Sequence, residues 1–237
     1  MTDPATSRTA TRPTSEAADT LERLLRGRYS CRGFRPDPVP RETVVRILEI
    51  AGRTPSWCNV QPWHLTIVEG ARLKALSERL YDHVQSHSDT PDFAFPTGYS
   101  EERHARRREC GFQLYECVGV ARGDREAARR QALENFRFFG APHVAFVTSH
   151  KELGPYGAID CGGFVTAFLL AARSLDVDTI PQAAVAGFPD FLRQELGIQD
   201  DRALICAISF GYGDETHPAN AFRTRRASVD EIATWLD

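Results

Sequence analysis

Residues 55–63 read PSWCNVQPW, a stretch with no charged side chain that holds two prolines, two tryptophans, a serine, a cysteine, an asparagine and a glutamine. Core-building does not ask for this mixture, because a buried Asn59 or Gln61 costs free energy unless its amide is paired. Amides beside flat rings suit a planar ligand rich in heteroatoms. Upstream, Arg28-Tyr-Ser-Cys-Arg32 sets Arg28, Ser30 and Arg32 at alternate positions. In an extended chain these three point the same way. Two guanidiniums and a hydroxyl on one face make a clamp for phosphate or carboxylate, since arginine presents forked donors. The competing reading is an edge strand with solvated charges. A second basic cluster, Arg223, Arg225 and Arg226, follows the Gly-Tyr-Gly at 211–213, where glycine lets backbone approach a ligand closely. Taken alone, that cluster also fits a solvated turn.

Other chemistries lack their residues. Cys58 and His64 are the nearest approach to a nucleophile and base, but His64 falls on an expected strand beyond a proline. No G-x-S-x-G, G-x-G-x-x-G or Walker A motif is present. Asp200 and Asp201 sit in an expected turn. His83 and His87 stand one helical turn apart without the glutamate of a metalloprotease, so an exposed helix end explains them. No catalytic side chain and no metal site is indicated. A chain with amide-rich and basic clusters but no acid–base or nucleophile set fits an enzyme whose cofactor does the chemistry.

The chain has 237 residues, 42% hydrophobic and 26% charged, with a net charge of −3. Such a composition is that of a soluble globular protein, and the charge argues against a general nucleic-acid binder. Six cysteines, none spaced C-x-x-C, read as reduced thiols in a cytoplasmic protein. The longest apolar run, 164–172, is too short to span a bilayer. Residues 1–17, rich in Thr, Ala, Ser and Pro, are expected to be a disordered tail, followed by a single domain over 18–237.

The periodicity predicts short helices near 21–27 and from Pro40 to Gly52, then a strand near 63–69 ended by Gly70 and a helix carrying Leu73, Leu76 and Leu80. Residues 86–100 form a long loop whose Phe93, Phe95 and Tyr99 favour a lid over a linker. Helices follow at 101–120 and 125–138, and a strand at 143–149. Residues 164–175 are apolar on nearly every face and so should be buried all round, which in a chain of this size calls for a second subunit. A strand at 203–213 and a capping box at 228–231 complete the pattern. Three strands among long helical stretches indicate an α+β fold with a small sheet covered by helices.

The blocks RYSCR, PSWCNVQPWHL, FGAPHVAFV, DTIPQAA and GYG…FRTRRASVDEI, in that order, make the chain from about residue 20 onward resemble the FMN-dependent nitroreductase family. The resemblance implies a small mixed, mostly antiparallel sheet flanked by helices in an intertwined homodimer, with FMN at the interface and a C-terminal segment reaching to the partner. It implies NAD(P)H as reductant and ping-pong reduction of a small aromatic acceptor, nitroaromatic or quinone-like. Arg28, Ser30 and Arg32 then match the block that grips the phosphate and pyrimidine side of the flavin. Pro55, Ser56 and Asn59 match a turn laid against the ring from the partner subunit. Ile180, Pro181 and Gln182 match the stretch along the ring edge. Arg226, with Arg223 as second choice, matches the C-terminal phosphate arginine. Phe93, Phe95 and Tyr99 are candidates for acceptor contact. The same fold supports reductive dehalogenases, enone reductases and flavin-consuming oxygenases, and a non-catalytic FMN-binding protein is a further alternative.

Overall fold

Four strands form one sheet in the order β1-β2-β4-β3: β1 (His64–Glu69), β2 (His143–His150), β3 (Asp178–Gln182) and β4 (Arg202–Gly211). The structure, a computed structural model, describes residues 15–236. Every strand pair is antiparallel, and the parallel element is a single bridge between Ser30 and Thr179. The sheet is thus small and mostly antiparallel, as expected. Its strand count is four, one more than the periodicity indicates. The extra strand is β3, whose sequence DTIPQ neither alternates nor avoids proline. It lies at the sheet edge, where a missing N–H is tolerated, and it exists because β4 supplies the ladder for Thr179 through Gln182.

Helices cover both faces, so β2 is buried along nearly its whole length. Its side chains alternate between faces as pleating requires. Ala145 and Val147 meet α2 (Arg41–Ala51) and α6 (Gly154–Ser174). Val144 and Phe146 meet α3 (Gly70–Ser86) and α7 (Pro189–Leu196). The remaining helices are α1 (Glu16–Gly27), α4 (Glu101–Cys117), α5 (Arg125–Leu133) and α8 (Val229–Ile232). Ser15 caps α1 by accepting from Ala18 N at 3.1 Å, so the helix begins inside the stretch expected to be a tail. The rest of that expected tail, residues 1–14, lies outside the described residues.

Three differences have local causes. The helix expected over 125–138 becomes a 3-10 turn from Glu134 to Gly140, where Phe138 and Phe139 take φ near 53°. That reversal lets both adjacent rings be buried. The helix expected over 101–120 stops at Cys117, three residues before the glycine-containing turn is complete. Helix α6 begins ten residues earlier than its apolar half announces. With the turn Lys151–Leu153 it makes a 24-residue stretch containing an 18-residue window of mean hydropathy 1.3, long and apolar enough by length and composition to cross a membrane. It lies instead against the sheet, with Cys161, Phe164, Phe168, Ala171 and Ala172 buried. Burying Phe164 and Phe168 contributes about 2–3 kcal/mol apiece. The expectation of burial on every face of 164–175 is not met within one chain: Thr166 and Ser174 are exposed and Val165, Ala167 and Leu170 half-buried, because a helix on a sheet buries one face only.

Candidate functional site

The N-terminal arginine block leaves α1 in extended conformation. Ser30 bridges Thr179 of β3, and Cys31 N donates to Thr179 O at 3.0 Å. This pairing lays residues 28–32 along the outer edge of the sheet. The C-terminal arginines come to the same place. Arg223 lies over the Tyr29 ring with 3.9 Å to the centroid, and Arg32 lies 5.6 Å from the centroid of Phe222. Arg226 is near enough to act electrostatically on Arg28. Arg28 and Arg32 therefore meet different parts of one C-terminal segment.

The electrostatics of this cluster are unbalanced. Burial lowers the Arg28 guanidinium below its ordinary pKa, and the positive charge of Arg226 adds to the shift. Burial likewise lowers Arg32. The Nε of Arg28 is buried without a hydrogen-bond partner. Arg225 is neutralised by Glu109 at 3.0 Å, whereas Arg28, Arg32, Arg223 and Arg226 have no carboxylate within ion-pair distance among the described residues. Arg223 and Arg226 donate instead to neighbouring carbonyls and to Thr224 Oγ1. An orphaned buried donor on one of four unneutralised guanidiniums fits a polyanionic group such as a phosphate.

The turn at 55–63 is positioned by α6. Trp57 N donates to Asp160 Oδ2 at 3.0 Å, and the Trp57 ring meets Tyr156 edge-on at 4.6 Å. Within the turn, Ser56 Oγ accepts from Gln61 N at 2.9 Å and Ser56 O accepts from Asn59 N at 3.0 Å. Cys58, Asn59 and Gln61 all take left-handed backbone, with φ of 47°, 58° and 50°. Pro55 and Asn59 are exposed, Ser56 is half-buried, and the Asn59 carboxamide has no partner among the described residues. Trp63 is different, stacking on Phe164 at 5.0 Å as part of the core. Among the described residues, the turn's hydrogen bonds and ring contacts run to α6 and within itself, and none goes to residues 28–32, 180–182 or 223–226.

Along β3, side chains point into the protein. Ile180 is buried, and Gln182 is 2% exposed. The Gln182 amide donates to Asn135 O at 2.7 Å, and its Oε1 accepts from Ser209 Oγ at 2.5 Å. A Gln182 side chain so engaged offers nothing to a ligand. What this stretch presents is the backbone beyond Thr179, with Pro181 half-buried and Ala183 exposed.

Residues 87–100 are a clamped loop. Asp92 accepts from Arg193 Nη2 at 2.6 and 2.5 Å and from Leu204 N at 2.8 Å, all partly buried. Thr90 N donates to Gly187 O at 2.7 Å. Phe95 lies over Gly187, where an added Cβ would approach its ring at 3.6 Å. Phe93 and Phe95 are half-buried, and only Tyr99 is exposed, under Arg107 at 5.6 Å. The expected lid is therefore anchored through an acid that the sequence reading passed over.

Other features resolve simply. All six cysteines are free. Burial pushes the thiols of Cys31 and Cys161 up to about 11 and that of Cys206 to about 12, so these three behave as inert core residues. His83 and His87 stack at 3.9 Å, with His83 also on Phe191. Among the described residues, no group of three or more His, Cys, Asp or Glu side chains is placed to hold a metal. A groove of about 1150 Å³ lined by Pro36, Arg41, Leu73, Tyr81, Arg137 and His143 contains none of the residues singled out above. Arg226 lines a groove of about 680 Å³ between α4 and the C-terminal segment.

Sequence reasoning missed the residues that hold these parts together: Asn220, Asn135, Ser209 and Asp178, whose carboxylate accepts from Gly213 N at 3.2 Å and Arg173 Nη1 at 3.1 Å. Asn220 bonds to Arg32 across 188 positions, and no local pattern marks such a residue.

Comparison with known proteins adds an independent finding. A model of the nitroreductase family matches residues 25–212. Nitroreductase NfnB of Mycolicibacterium smegmatis is 37% identical over 226 residues, covering 95% of this chain and 96% of that protein. A 4-nitrobenzoate reductase of a Nocardioides species is 34% identical over 93% of this chain and 91% of its own. The crystal structure of the FMN-dependent NfnB from Mycobacterium smegmatis in complex with NADPH superposes with a TM-score of 0.89 at 36% identity, covering 94% of this chain and all of that one.

Proposed function

This chain belongs to the nitroreductase family, and from that premise we propose that it is an FMN-dependent oxidoreductase using NAD(P)H to reduce nitroaromatic or quinone-like acceptors. Relatives named for nitrobenzoate and nitrobenzene reduction support the acceptor class. Solved relatives described as FMN- and NADPH-dependent support the cofactor pair.

The observation that carries the reading is the unneutralised arginine cluster, with the Nε of Arg28 buried and unpartnered. Arg28, Arg32 and Arg226 would hold the FMN phosphate, with Ser30 beside them and Arg223 stacked on Tyr29. Its closeness to Arg28 favours Arg226 as the principal C-terminal contact. The backbone of Ile180, Pro181 and Gln182 would border the ring edge. Pro55, Ser56 and the free amide of Asn59 would be laid against the ring by a partner subunit, since the turn is docked on α6, away from the arginines. Phe93, Phe95 and Tyr99 would flank the acceptor and exclude water. The chemistry supplied by bound FMN is hydride exchange between NAD(P)H and the acceptor. No side chain need act as acid or base, and the protein's contribution is position and charge.

A homodimer follows from the same reading. Trp57, Tyr156 and Ile159 form an exposed apolar stripe on and beside α6, and Trp235 and Leu236 are exposed at the C-terminus. A second copy would cover them. We further propose one domain over 18–237 and a cytoplasmic setting, which suits six free thiols.

The test is an anaerobic visible spectrum of the purified protein, before and after NADH or NADPH and then a nitroaromatic. Flavin absorbance should bleach and then return. A yellow protein that neither nucleotide bleaches would mean binding without turnover. A colourless protein that takes up no added FMN would overturn the reading.

A further inference from the structure

We infer that Asn220 is the positioning residue that pre-forms the phosphate clamp, an inference that rests on the reading above. Asn220 ends the turn Pro218–Asn220, just before the C-terminal arginines, and is 6% exposed. Its Oδ1 accepts from Arg32 N at 2.7 Å. Its Nδ2 donates to Gly33 O at 2.8 Å and to Asp214 O at 2.9 Å. Its own carbonyl accepts from Arg223 Nη1 at 2.7 Å. One residue thus ties the backbone of the N-terminal arginine block, the loop after β4 and a C-terminal arginine side chain.

The surrounding backbone ladder aligns these segments, and ring contacts of Arg223 with Tyr29 and of Arg32 with Phe222 add to it. Arg35 N donates to Tyr212 O at 2.8 Å and Asp214 N to Gly33 O at 2.9 Å, a short ladder around the Phe34–Gly213 bridge. The approach is close: a Cβ on Gly33 would fall 2.2 Å from His217, and one on Gly213 would fall 2.5 Å from Asp178. That ladder fixes the loop at 212–214. Beyond it the chain at 221–236 is largely exposed. Asn220 is the buried polar link between the ladder and Arg223. Both protons of its amide are donated within the protein, so it serves through its neighbours rather than by touching the ligand.

Physics gives this link a purpose. Guanidiniums gathered without carboxylates, as Arg28 and Arg226 are, repel and favour spreading apart. Holding them together before the ligand arrives removes an ordering cost from binding. The benefit should fall on the phosphate alone, because the ring-facing segments at 55–59 and 180–182 do not depend on Asn220.

The experiment compares FMN with riboflavin, which lacks the phosphate, by fluorescence titration of the full-length chain freed of flavin. Wild type should prefer FMN. Asn220→Ala should cut that preference about tenfold or more, with riboflavin affinity nearly unchanged. Asn220→Ser offers a shorter hydroxyl as acceptor for Arg32 N and loses at least one of the two donated bonds. It should fall between the two, and it serves if Asn220→Ala does not fold. Equal weakening of both flavins, or an unchanged preference in both variants, would overturn the inference while leaving the proposed function standing. A wild type that binds neither flavin would overturn both.

Discussion

The turn that carries Pro55, Ser56 and Asn59 and the strand that carries Ile180, Pro181 and Gln182 are both proposed to face the flavin ring, yet they are built in opposite ways. The turn is exposed, holds three non-glycine residues in left-handed backbone, and leaves the Asn59 amide unbonded. The strand is regular, and its one long polar side chain, Gln182, is sealed between Asn135 and Ser209. Left-handed backbone costs about 1–2 kcal/mol for an ordinary residue, less for asparagine. The turn bears that cost because Ser56 and Asp160 fix it from two sides. The difference teaches that the turn presents side chains, held ready at some cost in stability, whereas the strand presents backbone made rigid by its buried amide. Changes in the two should therefore separate binding from stability.

The largest effect should come from Gln182→Leu. It leaves the fully buried Ser209 hydroxyl without its acceptor and removes the amide's bond to Asn135 O. Stability should fall by about 2–4 kcal/mol in urea denaturation. A loss under half of that would mean Gln182 is less committed to the core than its contacts indicate.

Asn59→Gly should do the reverse. Glycine accepts the left-handed backbone, so stability should hold within about 1 kcal/mol. FMN affinity should fall about tenfold as the amide is lost. An unfolded Asn59→Gly protein, or one with wild-type affinity, would erase the contrast.

The smallest effect is one of pH. His143, at the start of β2, accepts from Val39 N through Nε2 at 2.8 Å and stacks on Phe210. Its Nδ1 lies 2.9 Å from Glu69 Oε2, though out of line for a good hydrogen bond. Burial lowers its pKa from 6.5, against the raising influence of Glu69. The unfolded chain therefore takes up a proton that the folded chain resists. Stability is full above about 6.5 and declines as pH falls below it. His64 and His83 are lowered in the same sense, also by burial first. Denaturation midpoints measured from pH 7.5 to 5 should show the decline, and His143→Gln should flatten it. The turn holds no Asp, Glu, His, Lys or Arg, so its contribution to FMN affinity should not move over that window.

Local patterns carried a large share of this molecule. Helices α2 and α3 and strands β2 and β4 follow from period and punctuation, because each makes its own ladder or buries one regular face. Strand β3 was illegible, since Asp178, Pro181 and the short length hide it until β4 is beside it. The first half of α6 was hidden by its glycines and by Pro155, and packing on Trp57 helps to define it. At the candidate site, the arginine spacing and the uncharged turn were visible because unusual residues stand in a row there. Asp92 and Asn220 were not, because an ordinary acid or amide acquires its role from partners far along the chain.

By itself, then, the sequence determined which side chains are available: five arginines in two blocks, an uncharged amide-rich turn, and apolar segments enough for a covered sheet. Tertiary structure alone decided which of them are free. It neutralised Arg225 through Glu109, spent the amide of Gln182 in the core, left that of Asn59 open, and set Arg226 where its charge acts on Arg28. The physical reason is that composition and period are local, whereas the pairing of a charge or an amide depends on what folding places within about 3 Å of it.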